Sequence, residues 1–417
     1  MYVYLLLNIA AFALAFLFER RPYAEAKKEK QLLFDRSYFA FCGLLLLLSA
    51  LRYGIAVDYD VYYLRYTNGY ETGNPLTLFV WIFRLLRGLG FPYQTVIILC
   101  SAGFLIPVFY LIWKYIPEYR FSSLGILLGF MFYIQSYNIF RQFLAMGLFL
   151  YFVARYIATK KPLYLLLIVI PVLIHPILAL ALPVYAIALV WKPTRTSIRI
   201  IQIIAILIFF VVNNEMTEWI MRKVAALTLG NIPAYAHYAN STDTEFLNSI
   251  YKQSMEFIPK VLYFPCMLLL PEMIIAQQNR KKKHNRVRKE KAWWIPSDVD
   301  VPGYLVRVYF LYTVIMSFKL GSEITSRFLL FFSILGIFIV PIMFKQFFLV
   351  FQMPVFGHRI FQHPFLVRHP QWKVWLLRAF QIGVAAVCIY TQIRCIKQNA
   401  CGAYPYSSII DLLFTGA

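Results

Sequence analysis

Apolar stretches recur along the whole chain, and each is long enough for a helix that crosses a bilayer. A spanning helix takes about 20 residues, or fewer when the bundle covers part of it, and on that basis we identify about twelve spans. Of the 417 residues, 61% are hydrophobic and only 14% are charged. No single soluble core could bury so much apolar surface. The sequence therefore predicts an all-α fold, a polytopic membrane bundle of about 12 transmembrane helices. The predicted spans are 2–18, 37–51, 92–113, 122–137, 142–157, 163–174, 177–191, 198–212, 259–276, 304–318, 327–344 and 372–393.

Clusters of lysine and arginine set the predicted orientation. Basic residues follow the first span, and the run RKKKHNRVRKEK occupies 280–291. Both clusters are expected in the cytoplasm, because cytoplasmic loops of membrane proteins are rich in Lys and Arg. Alternating the spans from there places both termini outside. It also makes 277–303 a basic cytoplasmic loop and 213–258 an external loop with short surface helices.

The net charge of +22 is therefore mostly accounted for by topology, and no nucleic-acid partner is predicted. No internal repeat or soluble domain is evident, so we treat residues 1–417 as a single integral membrane domain.

Two segments leave the span count open. Residues 76–89 are apolar but short and carry Arg84 and Arg87, which favours a re-entrant or interfacial helix over a span. Residues 163–191 contain Pro171 and Pro176, so they form either two short helices or one kinked helix. The topology beyond both segments is the same if both alternatives hold or neither does.

Several ionisable residues at the predicted outer helix ends are not explained by orientation. Arg52 ends the second span and is followed by Asp58 and Asp60 in the run RYGIAVDYDVYY. Asp58 alone is equally compatible with a helix cap. His175 stands at the outer end of another span, where backbone groups often supply the hydrogen bonds of a polar side chain. Charged groups near a membrane core are costly, so together they indicate a functional site.

Two further groups are expected at the same face. Asn138, Arg141 and Gln142 are spaced i, i+3 and i+4, so on a helix they would share one face. Lys319, Glu323 and Arg327 follow at i, i+4 and i+8, which is equally compatible with an internal salt-bridge ladder. The cations with possible bases nearby describe a pocket for a polyanion, such as a lipid-linked pyrophosphate. No convincing metal-binding motif accompanies them, so no metal is predicted.

Four short motifs resemble EpsG-type proteins, bacterial polytopic proteins of exopolysaccharide clusters that are similar to Wzy polymerases. They are RYGIAVDYDVYY at 52–63, NIFRQFLA at 138–145, SRFLLFF at 326–332 and YPYSSII at 404–410, together with the helix-end His175. Two positions depart from the family pattern. Ala56 stands where glycine is expected, and Ile177 follows His175 and Pro176 where serine is usual.

The resemblance implies a glycosyltransferase that polymerises undecaprenyl-diphosphate-linked oligosaccharide units at the outer face of the bacterial cytoplasmic membrane. Arg52, Arg141 and Arg327 would hold the pyrophosphate, and Asp58 or His175 would deprotonate the acceptor hydroxyl. No cofactor is implied, and a chain-length regulator and a flippase of the same pathway are candidate partners. The remaining candidates for substrate binding are Asp60, Asn138, Gln142, Lys319 and Glu323.

Three other functions stay open from sequence. A glycan ligase would use the same lipid-linked donor with a different acceptor. A flippase or other transporter would line a cavity that reaches both membrane faces, whereas the unexplained charges here cluster at one face and no inverted repeat is visible. A scaffold subunit of an export complex would not depend on the pocket at all.

Overall fold

The computed structural model describes residues 3–19, 28–56, 58–69, 77–211, 261–276, 300–318, 323–351 and 371–397. All regular elements in these ranges are helices, which confirms the all-α prediction. The predicted external loop, most of the basic loop 277–303, Lys319 and the motif at 404–410 lie outside the described residues.

The helices are numbered here in chain order. They are α1 (Val3–Phe18), α2 (Lys28–Ala50), α3 (Tyr59–Asn68), α4 (Leu78–Gly88), α5 (Tyr93–Tyr115), α6 (Arg120–Gly129), α7 (Phe132–Asn138), α8 (Phe140–Thr159), α9 (Leu163–Leu167), α10 (Val169–Ile174), α11 (Leu178–Val190), α12 (Arg195–Val211), α13 (Val261–Ala276), α14 (Val301–Met316), α15 (Glu323–Ser333), α16 (Gly336–Phe351) and α17 (Gln371–Lys397).

The described part of the chain holds 5 helices long and apolar enough to cross a membrane: Lys28–Ala50, Tyr93–Tyr115, Phe140–Thr159, Arg327–Phe344 and Leu377–Lys397. Shorter apolar helices cover the predicted spans at 2–18, 163–174, 177–191, 259–276 and 304–318. The protein is therefore a helical membrane protein, but the predicted count of about 12 spans is not confirmed. Helix α4 has 11 residues, which is too short to cross a bilayer and agrees with a re-entrant or interfacial helix.

Two predicted continuous helices are interrupted. The span predicted at 122–137 divides into α6 and α7, because Met131 adopts a left-handed backbone with φ 63° that a helix cannot accommodate. A second break at Ile139 separates α7 from α8. The prediction that Asn138, Arg141 and Gln142 share one helix face is therefore wrong: Asn138 ends α7, whereas Arg141 and Gln142 lie in the first turn of α8.

Residues 163–191 form separate short helices. Helix α10 ends at Ile174, His175 is extended, and α11 begins at Leu178. The amide of His175 donates to the carbonyl of Pro171 at 3.0 Å. Of the two predicted alternatives, the structure shows the interrupted one, because His175 leaves the helical conformation directly before Pro176.

The chain forms two compact units, Met1–Leu180 with Cys388–Ala417, and Ala181–Val387. In the first unit α2 is antiparallel to α5, since Tyr38 donates to the carbonyl of Phe109 and Ser49 to the hydroxyl of Ser101. Helix α8 runs parallel to α5, with ring contacts between Phe104 and Phe143 and between Tyr110 and Tyr151. These directions bring the end of α2 and the starts of α5 and α8 to the same end of the unit.

The opposite end of the first unit is tied together by charged groups. Arg120, at the start of α6, forms an ion pair with Asp35 of α2. The buried carboxylate of Glu19 accepts hydrogen bonds from the amides of Phe121 (2.8 Å) and Ser122 (3.1 Å). A carboxylate at a helix N-terminus is favoured by the helix dipole. The basic residues that the sequence assigns to the cytoplasm, such as Lys28 and Lys160, flank this same end.

The second unit is held together by hydrogen bonds from buried side chains to backbone carbonyls. The hydroxyl of Tyr185 donates to the carbonyl of Phe331 at 2.7 Å, and Tyr304 donates to that of Tyr185 at 2.8 Å. Arg199 of α12 forms an ion pair with Glu272 of α13. Such bonds satisfy polar groups inside an otherwise apolar bundle.

Gly147 should be the position where the α5–α8 contact is least tolerant of a side chain. A Cβ atom there would lie 2.6 Å from the carbonyl oxygen of Gly103 and 2.7 Å from the Cα of Phe104. Because both are backbone atoms, the helices would have to separate, and we expect Gly147→Ala to cost about 1–3 kcal/mol. Thermal unfolding in detergent measures the loss. Gly43→Ala is the matched control, since nothing lies within 4 Å of a Cβ at Gly43; equal midpoints for the two variants would contradict this packing.

Candidate functional site

A cluster of aromatic side chains organises one end of the first unit. We call it the aromatic cluster; its rings are Tyr59, Tyr62, Tyr66, Phe79, Phe83, Tyr93 and Phe140, from α3, α4, α5 and α8, and the buried aliphatic residues of the same core include Ile174 of α10. Ring contacts join its members, as between Tyr62 and Phe140 (centroids 4.6 Å apart) and between Tyr59 and Tyr93 (5.4 Å). Edge-to-face contacts of this kind stabilise beyond the area they bury.

The aromatic cluster contains sequence neighbours of Arg52, Asp58, Asp60, Arg141 and His175. Tyr53, which follows Arg52, packs against Tyr59, which lies between Asp58 and Asp60. Phe140, which precedes Arg141, belongs to the cluster core, as does Ile174, which precedes His175. The fold thus places three separate parts of the sequence, 52–60, 140–141 and 174–175, around one set of aromatic rings.

Arg52 is the largest buried side chain of the site, with 2% of its surface exposed. Its Nη1 donates to the carbonyl of Ser49 (2.9 Å) and contacts the hydroxyls of Ser49 (3.2 Å) and Ser101 (3.1 Å). The guanidinium lies over the ring of Tyr137, 4.4 Å from its centroid. Within the described ranges no carboxylate lies within ion-pair distance of Arg52, and its Nε has no hydrogen-bond partner there.

Local structure fixes the position of Arg52. It follows the C-terminus of α2, where the side-chain amide of Gln94 donates to the carbonyl of Arg52 at 3.3 Å. The guanidinium is therefore attached to a backbone that α5 holds in place. A buried guanidinium surrounded by hydroxyls and a ring face, with no carboxylate among the described residues, is suited to an incoming anion.

Arg141 is the second cation of the site. It is half-buried in the first turn of α8, with its guanidinium 5.9 Å from the ring centroid of Phe79. No acid stands in the first turn of α8, and no ion pair to Arg141 is present among the described residues. A cation at a helix N-terminus is opposed by the helix dipole. An anion bound at this point would offset both the charge of Arg141 and the positive end of the α8 dipole.

Asp58 and Asp60 lie at the start of α3 in different settings. Asp58 is half-buried at the N-cap position, but its side chain does not cap the helix. Asp60 is exposed in the first turn of α3, where a carboxylate is favoured by the dipole. Helix α3 ends at Gly69, whose φ of 74° and amide bond to the carbonyl of Arg65 form a left-handed cap.

Asn138, Gln142 and His175 are all buried, with 7%, 1% and 3% of their surfaces exposed. Asn138 lies just before the break at Ile139 and Gln142 just after it. His175 makes backbone bonds through both its amide and its carbonyl, which accepts from Leu178 at 3.0 Å. The roles of these three side chains in substrate binding or catalysis remain predictions.

The remaining predicted residues belong to the second unit. Lys319 lies outside the described residues, Glu323 begins α15, and Arg327 is half-buried on the same helix. Their predicted place in a shared site, and the alternative of a salt-bridge ladder, both stay untested.

Three contact residues of Arg52 were not anticipated from sequence. Ser49 stands three positions before Arg52, so helical spacing would have indicated it. Ser101 and Tyr137 reach Arg52 from other helices, and neither residue type is unusual in an apolar span.

Tyr59 also lies in this region. Burial raises the pKa of its phenol to about 12, and the nearby charge of Arg52 partly opposes that rise. Its phenol therefore stays protonated at neutral pH and is able to donate a hydrogen bond.

Arg52 and Arg141 bring two guanidinium groups to this end of the unit, and guanidinium matches phosphate oxygens in charge and shape. Within the described ranges no group of three or more His, Cys, Asp or Glu side chains could hold a metal ion. An anion that enters this end of the unit would find positive charge, phenol and serine hydroxyls, and two carboxylates at its edge.

The comparison with known families agrees with the motifs. A family model described as the EpsG family matches residues 35–356, which is more than half of the 417 residues and includes every predicted site residue. No curated protein and no solved structure matches the chain. The resemblance inferred from the motifs is therefore confirmed.

Ala56 should be a strained position in the loop between Arg52 and Asp58. Its φ is 93°, in the region that glycine occupies at no steric cost, and glycine is the residue that the family pattern predicts there. We expect Ala56→Gly to stabilise the protein by about 1 kcal/mol, measured as a higher midpoint of thermal unfolding. Ala10→Gly, inside α1, is the control and should lower the midpoint; a drop in both variants would contradict the strain at Ala56.

Proposed function

The chain belongs to the EpsG family, and from that premise we propose that it is a polysaccharide polymerase acting on lipid-linked oligosaccharides. Membership places the protein in polysaccharide biosynthesis at a membrane. The finer proposal is that it joins undecaprenyl-diphosphate-linked repeat units at the outer face of the cytoplasmic membrane. The growing chain leaves its lipid diphosphate and is transferred to an incoming lipid-linked unit.

The buried guanidinium of Arg52 is the observation that carries this proposal. A cation that is 2% exposed and has no carboxylate partner among the described residues is costly in an apolar bundle. A ligand with a localised negative charge would offset that cost. A diphosphate attached to a polyprenyl chain is such a ligand, because its charge lies at the helix ends while its tail occupies the apolar region between or beside helices.

Arg52 and Arg141 have a direct role in the proposed reaction. A hydroxyl of the acceptor sugar attacks the anomeric carbon of the donor, and the bond from that carbon to the diphosphate oxygen breaks. Negative charge then accumulates on the departing diphosphate. Guanidinium groups already in place stabilise this charge more in the transition state than in the ground state, and this difference accelerates transfer. A metal ion is not needed for that role.

The proton of the acceptor hydroxyl needs a base. Asp58 is half-buried at the edge of the aromatic cluster, and His175 is buried beside Ile174 of the same cluster. Either group would take the proton as the new glycosidic bond forms. The two assignments make different predictions about which substitution, Asp58→Asn or His175→Ala, abolishes transfer.

Polymer synthesis by purified protein tests the function and its arginine requirement together. Incubated with lipid-linked repeat unit, the wild-type protein should give a ladder of products on a gel. Arg52→Ala and Arg141→Ala should reduce the ladder by at least about a hundredfold, the loss typical of removing one preorganised donor. Arg155→Ala is the matched control on α8, because Arg155 bonds the hydroxyls of Tyr164 and Tyr110 at the other end of that helix.

Other outcomes would contradict the proposal. Ladders of wild-type intensity from both arginine variants would show that neither arginine contributes to the transfer reaction. A single product on a different acceptor would identify a ligase. Movement of the lipid-linked unit across the membrane without any covalent change would identify a transporter.

A further inference from the structure

The exposed face of α3 is the feature that the proposed diphosphate site leaves unexplained. Helix α3 turns Tyr59, Tyr62 and Tyr66 toward the aromatic cluster. On another side it exposes Asp60, Tyr63 and Thr67. Their spacing of i, i+3 and i+7 forms one stripe along the helix, which we call the α3 stripe.

Tyr63 is an exposed ring held in a fixed orientation. It is 39% exposed, yet its ring is parallel to that of Tyr59 within 9°, at a centroid distance of 6.3 Å. The ring of Tyr93 meets it edge to face at 5.6 Å. A ring that is already ordered loses little conformational entropy when a ligand packs against it.

The two polar members of the stripe supply hydrogen-bonding groups on either side of that ring. The carboxylate of Asp60 accepts from hydroxyl donors. Thr67 donates its own hydroxyl to the carbonyl of Tyr63 at 3.0 Å, which leaves its oxygen able to accept. An aromatic face flanked by such groups suits a sugar, whose C–H bonds pack on the ring while its hydroxyls bond to the neighbours.

The α3 stripe is continuous with the diphosphate site. Tyr59, which stacks with Tyr63, also contacts Tyr53, the residue after Arg52, with ring centroids 5.7 Å apart. Asp60 is the exposed charge of the stripe, whereas Arg52 and Arg141 are the cations of the site. The carboxylate of Asp60 accepts from sugar hydroxyls and disfavours an approaching diphosphate, so this face suits the sugars of a lipid-linked unit better than its charged end.

From this arrangement we propose that the α3 stripe binds the non-reducing sugars of the acceptor oligosaccharide and directs their terminal hydroxyl toward the donor. The inference rests on the proposed function and extends it. One set of residues recognises the leaving group of the donor, and the α3 stripe recognises the acceptor. The polymerase thereby distinguishes two ends of chemically identical lipid-linked units.

Titration with a lipid-free sugar tests this proposal separately from catalysis. The probe is the repeat-unit oligosaccharide released from its lipid and added to the full-length protein in detergent, with saturation-transfer NMR reporting binding. Tyr63→Ala should weaken binding by about tenfold, whereas Tyr63→Phe retains the ring and should bind like wild type. Tyr390→Ala is the matched control, because Tyr390 is 55% exposed on α17 and far from α3 in sequence; it should bind like wild type.

The outcomes separate the two proposals. Sugar binding that depends on Tyr63 in a protein that makes no polymer supports the stripe and overturns the polymerase. Ladders from Tyr63→Ala with the wild-type KM for the acceptor overturn the stripe and leave the polymerase standing. Should Tyr63→Ala fail to fold, Asp60→Asn provides the same test at an exposed position and is expected to weaken binding severalfold. Unchanged sugar affinity in both Tyr63→Ala and Asp60→Asn would overturn the inference.

Discussion

The burial of Arg52 is the constraint on which the rest of the site depends. A guanidinium inside an apolar bundle is tolerated only where hydrogen bonds and ring contacts surround it, and Ser49, Ser101 and Tyr137 supply them from three helices. These contacts satisfy part of the guanidinium but leave its charge without a carboxylate among the described residues. The packing of α2, α5 and α7 thus maintains a positive site whose natural complement is an anion. The neighbouring aromatic cluster adds Arg141 to the same end, and its packing orders the helices that carry Asp58 and His175.

Much of this arrangement could be predicted from the sequence, for physical reasons. Lipid requires helical backbone, so apolar stretches locate the helices well. Charges that orientation does not explain are predicted at one end of the helices, and Arg52 and Arg141 both lie where α2 ends and α8 begins. Gly129, the last residue of α6, is a signal for the break before Met131, whereas the break at Ile139 could not be predicted in this way, because no glycine or proline stands near it. The contact between Tyr137 and Arg52 could not be predicted from the sequence either, because it forms only when α7 packs beside the end of α2. Ala56 is an intermediate case: the departure from glycine was visible in the sequence, and its positive φ shows what the family pattern requires at that point.

The proposed separation of donor and acceptor binding at this end of the protein follows from charge and shape. Positive, buried groups suit the diphosphate that leaves, and the exposed, ring-bearing stripe of α3 suits the sugar that attacks. Both are anchored to the same aromatic cluster, so the distance between them is set by ring packing. Such preorganisation is how a protein converts an encounter of two large substrates into a reaction between two defined atoms.

Thermal unfolding of the purified protein with added farnesyl diphosphate reports whether Arg52 and Arg141 form a site for a lipid diphosphate. If they do, the diphosphate raises the unfolding midpoint of the wild-type protein, because a ligand that binds the folded state stabilises it. Farnesyl monophosphate should give a smaller rise, and Arg141→Gln and Arg52→Gln should show none. An equal rise in wild type and both variants, or no rise in wild type at saturating diphosphate, would show that these arginines do not form such a site.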